Sequence, residues 1–226
     1  MLDANVSSRL LPVALLLCSP VVTQDRVHAV VPPQSAAHAN HVSSPGVDAG
    51  DYVYVSGQGP RKPDGSLAAT FGEQVKQALD NVKAIVESAG LTMEHVVYTQ
   101  VYLQDINKYD EMNKVFAEYF GKAAPARAVL VVAKVPELPI QVSAVVVRSL
   151  ADKRPVYPPN YKSQDPAPPG MLTHDRLFVS SMPGSDPVSG KVPDDPASQV
   201  DLALDRVQAV LKAAGLDLAN MVFVNP

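Results

Sequence analysis

The sequence predicts an α+β fold, a mixed sheet with two helices gathered on one face, and it predicts that unit twice. The first observation is a repeated helical block. Gln74-Val75, Ala78-Leu79-Asp80, Val82, Ala84 and Ala89-Gly90-Leu91 return about 125 residues later as Gln199-Val200, Ala203-Leu204-Asp205, Val207, Ala209 and Ala214-Gly215-Leu216. A period this long means tandem domains, since solenoid repeats are far shorter. Each copy also follows a strand-like run, Val53-Tyr54-Val55-Ser56 or Leu177-Phe178-Val179-Ser180, and precedes an apolar one. Finally, the order strand, loop, helix, strand, helix, strand, strand between Gly46 and Leu150 gathers helices beside a sheet.

The elements follow in turn. Asp51 to Ser56 and Val96 to Leu103 are strands rich in Val and Tyr. Between them Val75, Ala78, Leu79, Val82, Ile85, Val86 and Ala89 recur at three- and four-residue steps, which makes one apolar helix face. Thr70 and Glu73 fit a capping box at its start, and Gly90 suits the left-handed position past its end. A second helix from about Lys108 to Phe120 turns Tyr109, Met112, Phe116, Tyr119 and Phe120 inward. Arg127 to Lys134 and Ile140 to Arg148 are closing strands, joined through Val135 to Pro139. These elements place a complete domain at residues 41–150. Residues 151–170 form a linker whose six prolines favour an extended spacer. Residues 171–226 then restart the unit, with Asp195-Pro196 as N-cap and first helical residue. They are expected to be the N-terminal half of a second domain.

Residues 1–40 differ in character. Arg9, the apolar run Leu10 to Val22 and the small-residue sites at Val27-His28-Ala29 and Ala37-His38-Ala39 have the layout of a secretory signal. The expectation is export, or a disordered leader and a cytoplasmic protein. Cys18 is a weak match to a lipidation site. The run is too short to span a bilayer.

Composition excludes several classes. The net charge is −4 and the isoelectric point about 5.7. Apart from Arg61-Lys62 and Lys153-Arg154 the basic residues are scattered, a poor footing on a phosphate backbone. Nucleic acid is therefore disfavoured as a partner. One cysteine precludes an intrachain disulfide, and the five histidines have no zinc spacing, so no metal is expected.

Three places could carry chemistry. Ser56-Gly57-Gln58 leaves a strand for a loop, where glycine lets a ligand approach the backbone. Arg127 opens an apolar strand, and its planar fork suits either a ligand carboxylate or a structural acidic partner. Asn113 interrupts the apolar stripe of the second helix, where a local backbone partner is the default.

Val-Ser-Gly-Gln at 55–58, Leu79-Asp80-Asn81-Val82, Ala89-Gly90-Leu91 and Val101-Tyr102-Leu103 with Asp105 resemble the RidA (YjgF-like) family. Asn113, Tyr119-Phe120 and Pro125-Ala126-Arg127 extend the resemblance over nearly all of Gly46 to Arg148. It implies a chorismate-mutase-like α+β fold, a homotrimer with clefts between subunits, and hydrolysis of reactive imines and enamines to 2-keto acids without a cofactor. The partner it implies is a small imino or keto acid. In this chain Arg127 would bind the substrate carboxylate, Ser56 and Gly57 would line the cleft, and Asn113 would support them. Gln141 stands where active members carry a glutamate, Val129 where a cysteine is usual, and the position of an N-terminal tyrosine falls near Ser43. An amide can hold a water but cannot take its proton as a carboxylate does. A non-catalytic carboxylate-binding protein is therefore the alternative expectation.

Overall fold

Buried Thr99, Val101 and Leu103 alternate with half-buried Gln100 and Tyr102 along Val96–Leu103, so one side of a sheet needs cover, and helices of matching period supply it. The computed structural model describes residues 27–33, 43–133, 138–162, 165–187 and 189–224. The first sheet contains β1 (His28–Val30), β2 (Gly46–Asp48), β3 (Tyr52–Gln58), β4 (Val96–Leu103), β5 (Ala126–Val131) and β6 (Ile140–Val147). Its order is β1-β2-β3-β6-β4-β5. Strands β4 and β5 pair in parallel and the other neighbours are antiparallel, so the sheet is mixed.

Helices α1 (Phe71–Ser88) and α2 (Tyr109–Phe120) cover one face of this sheet. Their ends are set by the residues that sequence singles out. Thr70 Oγ1 accepts from the Glu73 N–H at 3.3 Å, and the Glu73 carboxylate accepts from the Thr70 N–H at 3.2 Å. Gly90, with φ of 76°, takes the left-handed turn that a side chain would resist. Val75, Leu79, Val82 and Val86 from α1, Met112 and Phe116 from α2, and Ile140, Val142 and Val146 from β6 form the core.

The first sheet includes a strand upstream of residue 41. His28–Val30 pairs with Gly46–Asp48, and Val30 is buried against the helix-side core. Residues 1–26 and 34–42, which hold the apolar run, Cys18 and the Ala37-His38-Ala39 site, lie outside the described residues. Residues 135–137 of the turn expected at 135–139 do too.

Residues 151–170 also contain paired strand. Arg154–Val156 forms β7, which pairs with β8 (Gly170–Leu172), and β8 pairs with β9 (Leu177–Val179). The register Gly170↔Val179, Met171↔Phe178 has the spacing of Gly46↔Val55, Val47↔Tyr54 in the first sheet. Helix α3 (Pro196–Ala213) is capped by Asp195, whose carboxylate accepts from the Ser198 N–H at 2.9 Å. This second unit docks on the helix-free face of the first sheet, where Met171 and Phe178 pack with Tyr52, Val97, Tyr98 and Val147. Val200 and Leu204 on α3, and Val222 and Phe223 beyond it, stay exposed.

Candidate functional site

Strand polarity decides which side chains can meet. On β5 the side chain of Arg127 shares the helix-covered face with Val129, which packs against the core two residues on. There the guanidinium lies over the rings of Phe116, at 4.9 Å from its centroid, and Tyr109, at 5.9 Å. The side chain is only 3% exposed. One terminal nitrogen donates to Asn113 Oδ1 at 2.6 Å and to the Asp165 carboxylate oxygens at 2.9 and 3.1 Å. The Tyr109 hydroxyl also donates to Asp165. Burial, reinforced by that carboxylate, pushes the Tyr109 phenol above its ordinary value. A cation so enclosed needs a bound anion, and charge-assisted contacts of this kind hold one firmly.

Asn113 therefore has a side-chain partner in Arg127, where a local backbone partner is the default expectation. Arg127 and Asn113 come together as the site requires. Ser56, Gly57 and Gln141 do not join them. Ile140 and Val142 point into the helix-side core, so Gln141 between them points to the opposite face, and it pairs in register with Tyr102. Along the sheet Arg127 stands level with Thr99 and Ala144, three residues from Gln141 on β6. Three residues are roughly 10 Å of strand. Gly57 lies directly against Gln141: a methyl placed on it would sit 2.6 Å from the Gln141 Cδ. The exposed Ser56 hydroxyl donates to the Ser44 carbonyl at 2.8 Å. The candidates thus form two groups, a cation pocket on one face and a Ser56-Gly57-Gln141 patch on the other.

The second unit supplies the rest of the surroundings of Arg127. The Arg127 N–H donates to Ser180 Oγ at 2.9 Å, the Ser181 N–H to the Arg127 carbonyl at 3.0 Å, and the Ser180 hydroxyl to the Pro168 carbonyl at 2.6 Å. Ser180 and Ser181 are the two residues that follow β9, as Ser56 and Gly57 follow the Val53-Tyr54-Val55 run. Tyr109, Asp165 and Ser180 are site residues that sequence reasoning missed as such. The available signals were Tyr109 one turn before Asn113 and an acidic residue, Asp165, alone among the prolines at 158–169.

With Pro166 and Ala167 in place, the cavity beside Arg127 is about 10 Å³, room for one water at most. A larger cleft of about 420 Å³ opens under the same linker, beside Lys153, Lys122 and Tyr157. Burial pulls Lys153 down to about 8. Its ammonium nevertheless donates to the Glu94 and Ala123 carbonyls at 2.8 Å each, contacts that favour the charged form. Among the described residues no group of His, Cys, Asp and Glu could hold a metal ion, and no helix is long and apolar enough to cross a membrane.

Residues 33–148 match a family model described as endoribonuclease L-PSP. The chain is similar to the 2-iminobutanoate/2-iminopropanoate deaminase of Escherichia coli K12, with 39% identity over 108 residues, 46% of this chain and 84% of that protein. Among solved structures, the YjgF gene product of E. coli matches with a TM-score of 0.51 at 35% identity, over 54% of this chain and 99% of that one. E. coli TdcF with bound serine matches with a TM-score of 0.50 at 32% identity, over 54% of this chain and 100% of that one.

Proposed function

The chain belongs to the endoribonuclease L-PSP family, the RidA/YjgF proteins, and from that premise we propose that its first domain hydrolyses reactive imines and enamines of the 2-aminoacrylate and 2-iminopropionate kind. Water adds to the imine carbon, the C–N bond of the resulting carbinolamine breaks, and a 2-keto acid and ammonia leave. The observation that carries this reading is the Arg127 pocket: a buried guanidinium, oriented by Asn113 and already holding a carboxylate. Fixing the substrate carboxylate there contributes the proximity and orientation that a small polar imine otherwise lacks. The relative with bound serine shows that a family member takes a small molecule carrying a carboxylate and an amine.

Because Gln141 and Gly57 face away from Arg127, a substrate held by Arg127 meets that patch only where another copy of the fold presents it. This supports an oligomer, the trimer expected from the resemblance. In this chain Ser180 and Ser181 of the second unit, read as the counterpart of Ser56 and Gly57, stand beside Arg127 instead.

The test is ammonia release from enzymatically generated 2-iminopropionate and bulkier imino acids, beside Arg127→Ala. Turnover above spontaneous hydrolysis and lost in the variant is expected. Turnover retained in Arg127→Ala overturns the mechanism.

A second reading is a small-carboxylate binding protein without turnover. Gln141 favours it, since its amide cannot accept a proton from water as a carboxylate does. Binding of 2-keto acids without ammonia release would select it. The ribonuclease named by the family description finds little support in a chain of net charge −4.

A further inference from the structure

We infer that Asp165 is a tethered competitor for the carboxylate subsite, so that the linker, through this one residue, sets which ligands the first domain admits. This rests on the reading of Arg127 as a carboxylate anchor and goes beyond it. Asp165 does what a substrate carboxylate would do there: both of its oxygens lie within 3.1 Å of the Arg127 nitrogen, and one accepts from Tyr109 as well. The segment is shaped for the task. The Ala167 N–H donates to Asp165 Oδ1 at 2.8 Å, turning the chain so that the carboxylate points inward, and the Pro168 carbonyl is held by Ser180. The Asp165 side chain is 29% exposed where that of Arg127 is 3%, so the carboxylate stands between the guanidinium and solvent, and Pro166 and Ala167 line a cavity of about 10 Å³ on the Phe116 and Phe120 side of Arg127.

A carboxylate on a short tether acts at an effective concentration in the millimolar range or above. A free ligand must displace it, and its apparent affinity falls by the fraction of time the subsite is empty. A competitor seated nine-tenths of the time weakens binding about tenfold. Monocarboxylates whose only strong contact is with Arg127 are excluded at low concentration. Ligands with further contacts in the cleft can still enter.

Pyruvate titrated into the full chain, followed by calorimetry or ligand-observed NMR, tests the inference. The proteins are wild type, Asp165→Ala, Asp165→Asn, Arg127→Ala and the double variant Arg127→Ala/Asp165→Ala. Asp165→Asn keeps the shape and removes the charge, so it remains informative if the alanine variant is less stable. The expected result is affinity at least tenfold tighter in both Asp165 variants, lost again in the double variant. Equal affinity in wild type and both Asp165 variants, abolished by Arg127→Ala, overturns the competitor and leaves the anchor standing. Tighter binding that survives in the double variant also overturns it, because the gain would not run through Arg127. No binding by any of the proteins removes the anchor and the competitor together.

Discussion

The backbone N–H of Arg127 donates to the hydroxyl of Ser180 at 2.9 Å, and that hydroxyl in turn donates to the Pro168 carbonyl at 2.6 Å. One side chain of the second unit therefore fastens both the strand that carries the guanidinium and the linker that covers it. Ser180→Ala leaves a strand-edge N–H and a carbonyl without their partner, a loss of about 1–3 kcal/mol. The expected signature is local: faster hydrogen exchange at the Arg127 amide and a lower melting temperature. Unchanged protection of that amide would show that the hydroxyl does not hold the edge.

Gly57 is constrained by Gln141. Gly57→Ala brings a methyl to 2.6 Å from Gln141 Cδ and 2.7 Å from its Nε2. Gln141 must swing away, at a cost of about 1–2 kcal/mol typical of overpacking. Shortening the partner in Gly57→Ala/Gln141→Ala should recover most of that loss. A double-mutant cycle from denaturant midpoints measures the coupling, and strict additivity would count against the contact.

Thr99 stands beside Arg127 in the β4–β5 register, fully buried, and its hydroxyl is the one buried side-chain polar atom without a hydrogen-bond partner among the described residues. Removing an unsatisfied polar atom while keeping the shape should help. Thr99→Val is expected to raise stability by about 1 kcal/mol. A drop of that size in urea denaturation would mean that the hydroxyl has a role in the folded protein.

Tyr52 gives a pH dependence. Burial, and then its hydrogen bond to Asp175, push the phenol up to about 12. A folded pKa above the unfolded value lends stability that is complete below about pH 10 and drains away as pH climbs through about 12. Tyr52→Phe also loses the contacts to Thr173 and Asp175, so it should be the less stable protein at neutral pH. Denaturant midpoints of the two proteins should converge between pH 10 and 12. A constant gap across that range would place the destabilisation elsewhere.

Local structure was legible because its causes are local. Thr70 and Glu73 start α1, Gly90 ends it, and the three- and four-residue rhythm between them names the buried face. The Val and Tyr content of Val96–Leu103 marks β4 to the residue. Pairings across the chain were not: nothing near Ile140 announces that β6 lies between β3 and β4. Strand β1 was hidden inside residues whose composition resembles a leader. The site divides the same way. Arg127 and Asn113 were each visible as a polar residue in an apolar stripe, and they meet. The resemblance also named Ser56, Gly57 and Gln141, but a motif does not say which face of which copy its residues come from. Asp165 was out of reach, since an ion pair spanning 38 residues leaves no local periodicity.

The sheet order β1-β2-β3-β6-β4-β5 has a consequence for synthesis. Strands β3 and β4 touch only through β6, so when the ribosome has made everything up to Val131, both still present bare edges. The parallel pair β4–β5 and the hairpin β2–β3 can form early, each with its half of the apolar surface uncovered. Only when the stretch to Val147 emerges do the halves join and the helix-side core close. Conditions that stall the nascent chain between 131 and 147 should leave a species with open strand edges, the kind that chaperones bind and that aggregates when they do not.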